Sequence, residues 1–166
     1  MTGWAVILLS SCAGQVEIRS PLPTDITSPR PPESGLPEQI AAFVGVWAGK
    51  WDRFVNRHLA GTVGEDIALV VESIMPLTDD SYQAALVYSW GISPVDKWVS
   101  PGFTRTTGTI GKEGVLRIGP DRRGFVMTYT LAENRQTLQA EAHGIGSRVD
   151  TLSFTLSGVL WRTKLP

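Results

Sequence analysis

The chain has 166 residues, enough for one domain with short extensions. Its formal net charge of −1 excludes a general basic field for nucleic acid, so no nucleic-acid partner is expected. Hydrophobic residues make up 42%, sufficient for a core, and six tryptophans with seventeen glycines favour a β-rich chain with many tight turns.

Residues 4–9 (WAVILL) are continuously apolar. The run is far short of the roughly 20 residues that span a bilayer. It is also shorter than the usual 7–15-residue apolar region of a secretory signal, and no Lys or Arg precedes it. Both departures vanish if the true start codon lies upstream of Met1. The run ends in Leu9-Ser10-Ser11-Cys12, which contains the only cysteine, so no intrachain disulfide can form. This segment resembles the lipobox of bacterial lipoproteins. The resemblance implies that residues 1–11 are a signal peptide, that cleavage falls before Cys12, and that its thiol carries a diacylglycerol. Membrane lipid would then be a partner through Cys12, in the bacterial cell envelope. Ala13 lacks the aspartate associated with inner-membrane retention, which favours the periplasmic face of the outer membrane. The alternative is a frayed terminus with an inert, buried cysteine. Myristoylation is excluded because Met1-Thr2 lacks the required glycine.

Residues 12–36 read as a lipid-anchored linker. The stretch 21–37 (PLPTDITSPRPPESGLP) holds six of the eleven prolines. Proline fixes φ and has no amide proton, so the stretch is expected outside any sheet, extended and semi-stiff. At about 3.1 Å per residue it would hold a domain up to roughly 70 Å from the membrane. A short helix follows: Pro37 suits its first position, Glu38 its positive end, and Ile40, Ala41, Phe43 and Val44 share one face.

From residue 46 onward the pattern is strands and turns. Eight runs fit strands: 46–51, 67–74, 82–90, 103–110, 114–118, 124–131, 137–143 and 151–161. Short turn signals separate most of them, among them Asp79-Asp80 and Gly119-Pro120-Asp121-Arg122. The pattern predicts an all-β fold, an antiparallel up-and-down β-barrel of about eight strands over residues 37–166, closed because closure removes the edges. The one long interruption, from Gly91 to Gly102 (GISPVDKWVSPG), is expected to loop over one end and to carry Trp98.

A short helix followed by Phe43-Val44-Gly45-Val46-Trp47 is similar to the opening of calycins, the superfamily of lipocalins and fatty-acid-binding proteins. The resemblance implies a first-strand tryptophan, Trp47, plugging the barrel base. It also implies a cation from the last strand, Arg162 in Trp161-Arg162-Thr163-Lys164, lying over that ring. A second resemblance, to small accessory domains beside secreted bacterial serine hydrolases, rests on residues 45–52 (GVWAGKWD) and 87–91 (VYSWG). Such domains are not the catalytic part.

No nucleophile elbow, phosphate loop, dinucleotide fingerprint or zinc-ligand spacing is present, so no enzyme activity, cofactor or metal is expected. His58 and His143 are far apart in sequence. Arg122-Arg123 reads as a solvated turn. Glu72 shares strand parity with Ala68, Val70 and Ile74; facing inward it would need a partner such as Arg105 or Tyr88 and could orient a ligand, facing outward it is simply wet. Tyr88, Trp90 and Tyr129 have the same two readings, ligand contact or core.

Two functions follow. The first is a membrane-anchored lipoprotein holding a small lipophilic ligand inside the barrel through Glu72, Tyr88, Trp90, Arg105 and Tyr129. The second is a non-enzymatic envelope interaction protein with a side-chain-filled barrel, meeting its partner through the loop from Gly91 to Gly102. Eight strands enclose a space that suits either.

Overall fold

The computed structural model describes residues 16–56, 58–78, 80–93, 100–120, 125–145 and 153–166. Cys12 with its apolar run, Trp98 and Arg122-Arg123 lie outside the described residues. The short helix α1 spans Glu38–Ala41, and eight strands follow: β1 Gly45–Asn56, β2 Ala60–Thr78, β3 Ser81–Trp90, β4 Gly102–Gly111, β5 Val115–Ile118, β6 Val126–Leu131, β7 Thr137–Ile145 and β8 Ser153–Thr163. Each strand pairs antiparallel with the next, and β1 pairs with β8, so the sheet is a closed barrel without edges. The closing seam is tight. A side chain on Gly49 would collide with the Val159 carbonyl, and one on Gly158 with the Lys50 carbonyl, so both positions require glycine.

Strand alternation sorts the residues into two cores. The inward set includes Trp47, Trp51, Ile67, Leu69, Val71, Leu86, Ile110, Leu116, Tyr129, Leu138 and Leu160, all nearly inaccessible to solvent. Beneath them Ile40 and Phe43 close one end of the barrel. A second, smaller core lies outside the wall, where Val46, Val70 and Val87 are covered by Ile18, Leu22, Ile26 and Leu165.

That outer core changes the reading of the proline-rich segment. Its described part is not a free spacer. The Thr163 hydroxyl donates to the Val16 carbonyl at 2.6 Å, Ser89 and Ser20 share a buried hydroxyl contact, and the Arg30 amide donates to the Glu72 carbonyl at 2.9 Å. The prolines do keep the segment out of the ladders, since it has no strand of its own. Its apolar residues, spaced at 18, 22 and 26, nevertheless dock on the wall. The expected 70 Å reach assumed that nothing on the barrel would bind them.

Candidate functional site

The closed end is built around Trp47. Its indole N–H donates to the Phe43 carbonyl at 2.9 Å, which fixes the ring across the base. The Arg162 guanidinium lies 4.2 Å from the ring centroid, a cation–π contact of about 0.5–2 kcal/mol. The same group donates to the Val44 carbonyl at 3.1 Å and to the Ala42 carbonyl. Burial pulls the Arg162 pKa below its ordinary value, which starts so high that the group stays charged. Gly45 has φ +145°, and a Cβ there would stand 2.6 Å from the Arg162 Nη1, so glycine makes room for the cation. An Arg135–Glu38 ion pair holds α1 against the β6–β7 turn, and Arg135 keeps the Glu38 carboxyl below the usual range.

Midway up the barrel lies a small polar group in an apolar interior. The Trp51 indole N–H donates to the Tyr88 hydroxyl at 3.1 Å. The Tyr129 hydroxyl donates to the Met127 sulfur at 3.6 Å, a weak acceptor. Desolvation pushes both phenols well above their ordinary pKa, and the nearby Glu65 charge adds to the shift at Tyr88. Both remain neutral across the physiological range. Tyr129 has no accessible surface and Tyr88 only 8%, so no water-sized space touches Tyr129 and only a sliver reaches Tyr88.

The opposite end is a mouth lined by aromatic rings. Tyr88 stacks with Trp90 at 5.8 Å between centroids, and the Trp90 N–H donates to the Ser100 carbonyl at 2.9 Å. Across the opening Phe154 packs on Phe54 at 5.8 Å and on Phe125 at 5.9 Å. Glycines seat the rings. Gly102 pairs with Trp90, where a Cβ would stand 2.9 Å from the indole, and Gly144 pairs with Phe154, where it would stand 2.6 Å from the ring. Around the same end Leu59, Ile92 and Phe103 are exposed, Ile92 by 77%. Gly91, at the root of the long loop, is held by its amide to the Asp66 carbonyl at 2.7 Å.

Of the residues read as ligand contacts, Tyr88, Trp90 and Tyr129 face inward, but Glu72 and Arg105 stand outside the wall. They do pair, Arg105 Nη1 to Glu72 Oε1 at 2.8 Å. The other Nη reaches Asp25 of the docked segment at 2.9 Å and holds that carboxyl below its ordinary range. A bulge explains the difference. The β2–β3 register shifts between Val71 and Ser73, so Val71 and Ile74 both face inward and Glu72 falls on the outer side with Val70. Simple alternation from Ile74 back to Glu72 fails there. Arg105 pairs with Val87 of the outer core, which puts it on the same side.

His143 lies near Thr155 and Glu141, and among the described residues no cluster of three metal ligands occurs. No described helix is long and apolar enough to cross a membrane. The ring cluster of Phe54, Phe125 and Phe154 escaped the sequence reading. Its one legible signal was a glycine, Gly144, near the end of β7 and an aromatic, Phe154, near the start of β8. No family model matches the chain, and no curated protein or solved structure is significantly similar to it.

Proposed function

We propose that the chain is a non-enzymatic, lipid-anchored protein of the bacterial cell envelope that works by binding another envelope component at the barrel mouth. The observation that carries this reading is the filled interior. Trp47, Trp51, Leu69, Leu86, Leu138 and Leu160 are each at most 1% exposed, so the barrel has the character of a scaffold. The exposed Leu59, Ile92 and Phe103 at the mouth supply apolar surface of the kind that partners cover. A photoreactive residue at position 92 should crosslink to one defined envelope component in intact cells, whereas the same group at Lys50 on the wall should not. Equal crosslinking from both positions would count against the mouth as the contact.

The Tyr88–Trp90 stack favours a second reading, in which a small lipophilic molecule rests on the partly exposed Trp90 ring. Titration with fatty-acid analogues separates the two. An unchanged tryptophan emission supports the scaffold reading, and a saturable shift supports the carrier. The anchor has its own test: incorporation of a fatty-acid analogue should disappear in Cys12→Ser.

A further inference from the structure

The path of the docked segment has a consequence for how the barrel meets a membrane. Val16 is held at the closed end, because its partner Thr163 pairs with Val46 at the start of β1. The chain then climbs the wall to Ser20, which contacts Ser89 near the top of β3. It turns near Asp25, held by Arg105, and descends through Arg30, whose amide is on Glu72, to α1 at the closed end again. The two limbs enclose a shallow groove of about 570 Å³. Its lining is mixed: Ile18, Leu22, Ile26 and Leu165, which pack on the outer core, alternate with Ser20, Thr24 and Ser28.

We infer that this segment is an orienting strap, which places the closed end of the barrel against a lipid surface and directs the mouth away from it. The inference rests on the proposed acylation of Cys12. Three residues separate Cys12 from Val16, so the anchor lies within about 14 Å of the closed end. Five of the eight strands have 9 to 12 residues, and at the tilt of about 35–45° usual for closed barrels they give a height of about 25 Å. The reverse orientation would lift Val16 farther from the bilayer than the chain can stretch. The closed end also presents chemistry suited to a headgroup layer. Met75 and Leu77 at the end of β2 and Trp161 at the end of β8 are exposed large apolar side chains, and Lys164 stands exposed close by in sequence. The mouth, with Ile92 and Phe103, is left free for a partner on the far side.

The test uses the full, lipidated chain. Because acylation consumes its only native thiol, Leu77→Cys and Ile92→Cys each add one free cysteine at an exposed site where folding is not at stake. Each variant is labelled with a donor dye and placed in phosphatidylethanolamine–phosphatidylglycerol vesicles carrying a headgroup acceptor. Incorporation of a fatty-acid analogue is measured on the same preparations. The expected result is incorporation in both and several-fold stronger energy transfer from position 77 than from position 92. Incorporation with equal transfer would mean a barrel lying on its side, and stronger transfer from position 92 an inverted one. Either overturns the orientation alone. No incorporation overturns the acylation and the orientation with it.

Discussion

The two cores of this barrel are built from the same strands yet have different mechanical meaning. The inner core is enclosed by a sheet without edges, and its residues lose contact with one another only when the barrel opens. The outer core joins three strand residues to a strap held by a few hydrogen bonds and one shared arginine. The first therefore sets global stability, while the second sets where the N-terminal segment lies. Substitutions in the two should separate cleanly, because stability in a folded chain is not uniform.

The largest effect is expected at the plug. Trp47→Ala removes a fully buried indole and leaves Arg162 without its ring, so thermal or urea unfolding should show a loss of about 3–5 kcal/mol. A loss below about 1 kcal/mol would mean that the closed end is peripheral to the inner core.

Raising the pH gives the next effect. Tyr88 and Tyr129 have folded pKa values above the unfolded value near 10, so the unfolded chain gives up these protons first. Their contribution is complete below pH 10 and declines above it, by about 1.4 kcal/mol per pH unit for each tyrosine. Urea unfolding at a series of alkaline pH values should show this slope, and Tyr129→Phe should remove about half of it.

The strap should respond to smaller changes. Arg105→Ala removes an exposed, solvent-screened cation shared by two carboxylates, so global stability should barely change. Hydrogen exchange at the Arg30 amide should nevertheless speed up markedly, because its bond to Glu72 lies beside the lost clamp. An equal change at the amides of β3 would show that the two cores are coupled.

Acid gives the smallest effect. Arg105 holds the Asp25 carboxyl low, so its contribution is present above the ordinary aspartate value near 4 and is lost as the pH falls below it. Arg30 exchange protection, corrected for the intrinsic rate, should therefore be flat from pH 8 to 5 and decline only under stronger acid. A decline near pH 6 would point to a different group as the latch.

The strand count and antiparallel order were legible in the sequence because period-2 patterning and short turn signals agree over most of the chain. The strand ends were less so: β2 runs from Ala60 to Thr78, well beyond its β-branched centre, because neighbouring strands extend the ladder over residues of low propensity. Alternation identifies Tyr88, Trp90 and Tyr129 as one inward set only once the register is known. Glu72 was misleading because a single bulge reverses parity, and nothing in Val71-Glu72-Ser73 announces one. The strap was hidden for another reason. Proline content correctly excludes strands, but whether Ile18, Leu22 and Ile26 find an apolar wall depends on which face Val46, Val70 and Val87 present, and that is a tertiary fact.

The proposed function requires a filled barrel that works through its mouth. Methyl-resolved NMR with a saturating long-chain fatty acid tests it most directly. The methyl signals of Leu69, Leu86, Leu138 and Leu160 should not move, with any change confined to mouth residues such as Ile92. Saturable shifts of those four interior leucines would contradict it.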